Sequence, residues 1–382
     1  MRNYKDSSAY FLLVVLLILP ITFLKSIDEA VDFLAVSCFI RLIGIVLTRN
    51  KYRKLTNDLF NYAQGIFTVL IIVLWNSVYS ETGVFDGSNL HGDSAAYWRE
   101  VVSFTYTKDL NFATAKEDSR INYFFFQFIL AVICGFFNAK FVVALLFIVF
   151  IGLVNLVILI KIGIALQYNR MIIRNIGIFY IVFPHILASN TILLKDSFIT
   201  LSFLLLTYGG ILFIKKTKRS KAIILILLGF FFCSVLRLPF VPLLFLILVY
   251  LVSFKRYKRV LFLGTFSYAV LVFWLNIDLF GLVTQSEKRS FGFGESGFAG
   301  TGLASVLVGS YHFDPIYLKI LRLPIVVLVQ YLTPINVAVL NHEIWWLYID
   351  INLKVIWLLF FGPLYLFSIW HVKYLPIQAR RI

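Results

Sequence analysis

Residues 141–160 of this chain read FVVALLFIVFIGLVNLVILI, 20 residues without a charged side chain. A bilayer core of ~30 Å needs about 20 apolar residues in an α-helix to cross it. Inside a membrane every backbone amide and carbonyl must be satisfied by the protein itself, and a helix achieves this within one segment. The stretch therefore predicts a transmembrane α-helix.

Apolar stretches of similar length recur along the chain. Of its 382 residues, 60% are hydrophobic and 14% are charged, whereas a soluble domain carries about a quarter charged residues. Stretches close to the length of a span lie at 9–24, 33–48, 62–79, 122–137, 141–160, 175–190, 197–214, 222–236, 240–253, 260–276, 321–340 and 351–370. The composition excludes a soluble enzyme and predicts an all-α polytopic transmembrane helix bundle, a single membrane domain over residues 1–382.

Basic residues gather in clusters that indicate the orientation of the bundle. The chain carries 35 Lys and Arg against 19 Asp and Glu, a net charge of +16. The clusters lie at 49–54, 215–221, 255–259 and 373–381. Lys and Arg collect in the cytoplasmic loops of membrane proteins, so the excess does not indicate a nucleic-acid partner. All these clusters and both termini are cytoplasmic only if two of the candidate stretches do not cross the membrane.

Segments 122–137 and 321–340 are the two that the charge pattern selects. Pro324 and Pro334 each remove an amide donor from the second segment, which suits a broken helix better than a straight span. We therefore expect about ten full spans, with 122–137 and 321–340 as re-entrant or interfacial helices. The alternative, that one span is misread and neither segment is re-entrant, stays open.

Two long polar loops, 80–121 and 277–320, are extracytoplasmic in this topology. Loop 80–121 holds seven acids and four bases, the reverse of the balance in the whole chain. The residues capable of chemistry are therefore expected at the outer face, where these two loops flank the active site.

The first candidate site is HGDSAAYWR at residues 91–99, in the first outer loop. An Asp near the membrane surface is well placed as a general base toward a sugar hydroxyl. We expect a juxtamembrane helix, capped by Asp93 or Ser94, that presents Asp93, Tyr97 and Arg99 on one side. The alternative is a plain helix cap followed by an interfacial Tyr-Trp pair.

The second candidate site is NTILLKDS at residues 190–197. Lys195 and Asp196 lie at the outer boundary of an apolar stretch that runs from Ile176 to Ile214. Ionisable residues at that depth are costly and tend to be functional. The alternative is a mutual ion pair or a lysine that extends to the membrane surface.

Further candidates lie later in the chain. Arg237 is on the outer side between two spans, where a base is disfavoured, and its guanidinium fork suits a phosphate. An anionic lipid headgroup would explain it equally well. In the last outer region Arg322, His342 and Glu343 could bind an acceptor or relay a proton, while the adjacent tryptophans read as an interfacial belt.

The three cysteines give no sign of a cofactor. Cys38, Cys134 and Cys233 lie in apolar runs with no paired spacing and no neighbouring histidine. We therefore expect neither a disulfide framework nor a metal site, and no cofactor.

The order of these features resembles the GT-C class of membrane glycosyltransferases and the bacterial polysaccharide-repeat polymerases. It comprises Gly92-Asp93-Ser94 with Tyr97, the run 122–138, a basic turn at 170–174, a span containing Pro184, and LLKDS at 193–197. The resemblance covers roughly residues 80–215. It implies that Asp93 is the base or acceptor-positioning residue and that Asp196 is the second acidic residue. Two extra spans precede Asp93, whereas the class typically places this Asp after the first span.

The resemblance implies a multi-pass enzyme of the bacterial inner membrane that acts in cell-surface polysaccharide assembly. It would move a sugar or an oligosaccharide repeat from a polyprenyl phosphate or pyrophosphate to a hydroxyl of a glycan or lipid acceptor. Lys195 and Arg237 would bind the phosphate. A repeat-unit polymerase is the nearest alternative, and a flippase or transporter of the same lipid-linked substrate is the non-enzymatic one. Transporters commonly show internal repeats, and we find none.

Overall fold

A computed structural model of the chain describes residues 7–23, 27–74, 97–103, 121–137, 140–191, 193, 195–216 and 219–236. These residues are almost entirely helical and contain no strand. The helices are α1 Ser7–Phe23, α2 Ile27–Leu47, α3 Arg53–Leu74, α4 Ile121–Gly135, α5 Phe141–Ala165, α6 Arg170–Val182, α7 Pro184–Thr191, α8 Asp196–Ile214 and α9 Arg219–Leu236. Residues 97–103 are helical as well. The all-α prediction is confirmed for this part of the chain.

Within these ranges, α2, α5, α8 and α9 are long and apolar enough to cross a membrane. They contain 21, 25, 19 and 18 residues, and ~1.5 Å of rise per residue gives ~27–38 Å. This supports an integral membrane protein. The predicted spans at 240–253, 260–276, 321–340 and 351–370 lie outside the described residues, as do loop 277–320 and most of loop 80–121. The count of ten spans therefore stays a prediction.

Helix α5, which contains the stretch 141–160, is at the centre of the described bundle. It packs against α2, α3, α4, α6, α7 and α8. Large apolar side chains are buried on all its sides, among them Phe141, Leu145, Ile148 and Leu156, each at most 1% exposed. A helix that is apolar all round buries all its faces against neighbouring helices. This explains why the least polar stretch of the sequence became the central element.

Polar contacts fix the relative direction of the spans. Lys140, just before α5, forms an ion pair with Asp32 near the start of α2. At the other end, the Lys215 ammonium after α8 donates to the carbonyl oxygen of Ala165, the last residue of α5. Helices α2, α5 and α8 therefore run in the same direction. We call the end of the bundle at which these three helices finish the basic end. It includes the turns 48–52, 166–169 and 215–216. We call the other end of the bundle the opposite end.

Helix α3 begins at Arg53, whereas the apolar pattern predicted a span from residue 62. The polar residues of its first turns have partners on other helices. The Ser8 hydroxyl of α1 donates to the Asp58 carboxylate at 2.8 Å, and the Asn61 amide nitrogen donates to Ser8 Oγ at 3.3 Å. A hydropathy pattern cannot register such partners, so it placed the start of the helix too late.

The predicted span 175–190 is not one continuous helix. The helix α6 ends at Val182, Phe183 is extended with φ −70° and ψ 119°, and α7 begins at Pro184. A proline lacks an amide donor and disfavours the helical conformation of the residue before it. The two pieces contain 13 and 8 residues, each too short to cross a bilayer alone. The chain thus reaches the second candidate site through a broken helix.

Candidate functional site

Lys195 and Asp196 lie at the opposite end of the bundle, where the broken helix gives way to α8. Lys195 immediately precedes α8 and only 6% of it is exposed, while Asp196 is the first residue of the helix and is half-buried. The Lys195 carbonyl oxygen accepts from the amides of Phe198 at 3.0 Å and Ile199 at 3.2 Å. The Asp196 carboxylate lies where the helix dipole favours a negative charge. The junction thus holds a buried cation beside an acid.

The first turn of α8 is joined to α7 by its serine. The Ser197 hydroxyl lies 2.6 Å from the carbonyl oxygen of Ser189 and 2.8 Å from Asn190 Oδ1, within donating distance of both acceptors. The Ser197 carbonyl oxygen in turn accepts from the Asn155 amide of α5 at 2.8 Å. All four residues are buried. They hold α8, α7 and the central helix α5 together just beneath Lys195.

The same contacts continue to α6. The Asn190 amide nitrogen donates to the Tyr180 hydroxyl at 3.3 Å, and that hydroxyl donates to the Gly152 carbonyl oxygen of α5 at 2.9 Å. A methyl group at Gly152 would lie 2.5 Å from Asn190 Cγ, so only glycine leaves room for the amide. We call Asn155, Tyr180, Ser189, Asn190 and Ser197 the Ser197 network.

This network has a physical reason. Breaking a helix at membrane depth frees backbone groups that no water can satisfy, and each unsatisfied buried polar group costs about 1–3 kcal/mol. Ser197 satisfies the carbonyl oxygen of Ser189, near the end of α7, while the Tyr180 hydroxyl ties α6 to the Gly152 carbonyl oxygen of the continuous helix α5. The network therefore fixes the bent path of the chain, and with it the position of Lys195.

Replacing Ser197 with alanine should lower the free energy of unfolding by about 1–3 kcal/mol, because it removes a buried hydroxyl that has two acceptors of α7 within donating distance. Thermal unfolding in detergent, followed by circular dichroism, measures this. Ser234→Ala is the matched control, since among the described residues the Ser234 hydroxyl bonds, at 2.7 Å, to the Phe230 carbonyl of its own helix and not to another helix. Equal stability losses in the two variants would contradict a role of Ser197 in joining helices.

The first candidate site is partly described, and it approaches the second. Tyr97 is 3% exposed, and its ring makes an edge-on contact with Phe126 of α4 at a centroid distance of 5.1 Å. Phe126 in turn contacts Phe198 in the first turn of α8 at 5.7 Å. Two successive ring contacts thus connect the segment of the first outer loop with the Lys195–Asp196 junction.

The expectation that Tyr97 and Arg99 share one side of a helix is wrong. Tyr97 is buried, whereas Arg99 is exposed. Residues two apart in a helix point ~200° away from each other, which accounts for the difference. Only one of them can therefore face the rings of α4 and α8, and that is Tyr97.

The other candidates are not described. Asp93, Arg237, Arg322, His342 and Glu343 lie outside the described residues, so their grouping with Lys195 and Asp196 stays a prediction. Among the described residues, no group of three or more His, Cys, Asp or Glu could hold a metal ion.

The sequence reasoning missed the Ser197 network. Asn155 and Tyr180 were not singled out, although both are polar residues inside apolar stretches. An uncharged amide in the middle of a span is a usable signal, because it needs a partner in an environment without water. The contacts that join these residues to the segment around Ser197 could not be inferred, since they depend on where the helices are interrupted.

No protein-family model, curated protein or solved structure matches this chain.

Proposed function

We propose that the chain is a membrane glycosyltransferase. It moves a sugar or an oligosaccharide repeat from a polyprenyl phosphate or pyrophosphate to a hydroxyl of a glycan or lipid acceptor at the extracytoplasmic face. The acceptor oxygen forms a bond to the anomeric carbon, and the bond from that carbon to the phosphate oxygen breaks. The lipid phosphate leaves with the electron pair, and the acceptor proton passes to a carboxylate.

The observation that carries this proposal is the buried Lys195 at a fixed helix junction. A lysine that is 6% exposed loses most of its hydration, and its position is held by the hydrogen bonds of Ser197, two residues later in the chain. A cation in such surroundings interacts with a developing phosphate charge more strongly than one in water. Its position at the end of the apolar helix α8 suits a donor whose lipid tail stays in the membrane.

The orientation of the bundle supports an outer location for this junction. The basic end carries the clusters 49–54 and 215–221 and would be cytoplasmic by the positive-inside rule. The opposite end, with Lys195 and Asp196, would then be outside. Helix α4, Ile121–Gly135, covers most of segment 122–137, and the re-entrant or interfacial role of this segment stays a prediction.

The ring contacts of Tyr97 support a shared site for the two candidate stretches. Tyr97 is the fourth residue after Asp93, a distance of at most ~14 Å along the chain. In the proposal Asp93 takes the proton of the acceptor, while Asp196 orients the acceptor. Arg99, Arg237, Arg322, His342 and Glu343 are assigned to substrate binding on the sequence alone.

Two alternatives share the same substrate. A repeat-unit polymerase would use the outer arginines and the two long loops for a growing chain. A flippase or transporter is favoured by one observation, the interruption of a helix at Pro184, because broken helices line the substrate sites of many transporters.

An assay in detergent separates an enzyme from a transporter. Lipid extract from cells that lack the chain supplies the donor, and their cell-envelope glycan supplies the acceptor. Micelles abolish sidedness, so a transporter has no effect there. We expect the purified full-length chain to release polyprenyl phosphate or pyrophosphate and to label the acceptor fraction. Unchanged lipid-linked donor after incubation with folded protein would refute the enzymatic proposal.

A further inference from the structure

The basic end of the bundle contains a pocket that the proposed reaction does not use. It has a volume of about 500 Å³ and is lined by Arg41 and Ile45 of α2 and by Arg53, Lys54 and Asn57 of α3. Three of these five residues are cations, and none of the five is an acid. The concentration of positive charge in one cavity is the property that needs an explanation.

Arg41 is held in an arrangement that leaves part of its guanidinium without a partner. Its Nη2 donates to Asn57 Oδ1 at 2.8 Å, and its Cζ lies 5.9 Å from the centre of the Phe60 ring. Its Nη1 is buried and has no hydrogen-bond partner among the described residues. A buried, unsatisfied cationic donor is costly, and a bound anion would satisfy it.

The place of Arg41 on α2 also points to a ligand. It lies six residues before the end of α2 at Leu47, a depth of ~9 Å along the helix axis. Arg53 and Lys54 lie in the first turn of α3, where the helix dipole also favours an anion. The pocket thus presents two forked guanidinium groups, an ammonium group and a helix start to one ligand.

We propose that this pocket binds a phosphate group. Guanidinium groups match phosphate oxygens with pairs of hydrogen bonds, and basic pockets between helices on the cytoplasmic side commonly take anionic lipid headgroups. Leu42 and Val46, which neighbour two of the lining residues on α2, are 63% and 59% exposed. They provide an apolar surface along which the acyl chains of a lipid can lie.

The test measures binding of phosphatidylglycerol to the full-length chain in detergent by native mass spectrometry. The double variant Arg53→Gln/Lys54→Gln removes two charges but leaves the contacts of Arg41 with Asn57 and Phe60 in place. We expect roughly 10- to 30-fold weaker binding, from the usual contribution of a basic residue to anionic lipid binding. Arg41→Lys keeps the charge but loses the fork, and should weaken binding about fivefold.

Lys51→Gln/Lys216→Gln is the matched control, because both lysines are exposed at the basic end and neither lines the pocket. It should bind phosphatidylglycerol like the wild type. Inorganic phosphate and phosphatidylcholine are the comparison ligands. If the pocket variants weaken the binding of phosphatidylglycerol alone, the ligand is a lipid headgroup. If they weaken the binding of inorganic phosphate equally, the ligand is a free phosphate. Three results would overturn the proposal. The two double variants could bind phosphatidylglycerol equally more weakly than the wild type, neither could bind it more weakly, or the wild type could bind phosphatidylcholine as well as phosphatidylglycerol.

Discussion

Replacing Lys195 with alanine should lower kcat/KM for sugar transfer by about 10²- to 10³-fold, the usual loss when one group that stabilises transition-state charge is removed. The lysine is 6% exposed at the junction before α8, so water cannot take over its role fully. If the lysine acts on the leaving phosphate, kcat falls at saturating donor. The measurement is the initial rate of polyprenyl phosphate or pyrophosphate release over a range of donor concentrations.

Two further variants separate charge from fold. Lys195→Arg keeps the cation and should retain more activity than Lys195→Ala. Lys140→Ala is the matched control, because Lys140 is also a lysine before a span at the opposite end, with its side chain 23% exposed in an ion pair with Asp32. It should leave the rate within a fewfold of wild type. A folded Lys195→Ala protein with wild-type kcat and KM would remove this residue from the mechanism.

Hydropathy located the spans well where burial is uniform. The stretches 141–160 and 197–214 predicted α5 and α8 closely, and both helices are long and apolar enough to cross a membrane. These segments are apolar over their whole length, so their helical state is required by the absence of water rather than by any particular neighbour. The second candidate site at Lys195 and Asp196 could be proposed from the same pattern, since charged residues directly beside a long apolar segment are easily recognised in the sequence.

Elements that depend on partners distant in sequence could not be predicted. The first turns of α3 are polar, and their place in a helix follows from contacts such as that between Ser8 and Asp58. The Ser197 network requires two interruptions that a continuous helix would lack. The break at Pro184 brings Asn190 to Tyr180, and the interruption between the end of α7 and the start of α8 brings Asn190 to Ser197. Tyr97 was expected on the side of a helix that carries Asp93 and Arg99, whereas its burial against Phe126 gives it a packing role.

Replacing Asp93 with asparagine should lower the transfer rate by about 10²- to 10⁴-fold, the usual contribution of a general base. Asparagine has the same shape as aspartate but cannot accept the proton of the acceptor hydroxyl. In cells the variant, expressed at the level of wild type, should accumulate lipid-linked donor and lose the glycan product. Donor binding should change little, because the phosphate is assigned to Lys195, so the loss should appear in kcat.

The same loop supplies the controls for this experiment. Asp86→Asn and Asp109→Asn remove one negative charge each from loop 80–121, so they report any general effect of loop charge on donor or acceptor. They should keep near-wild-type rates. Asp93→Glu restores a base on a longer side chain and should recover part of the activity. Full glycan product with wild-type donor levels in Asp93→Asn would exclude this carboxylate as the base and transfer the role to Asp196, the acid that follows Lys195 at the junction.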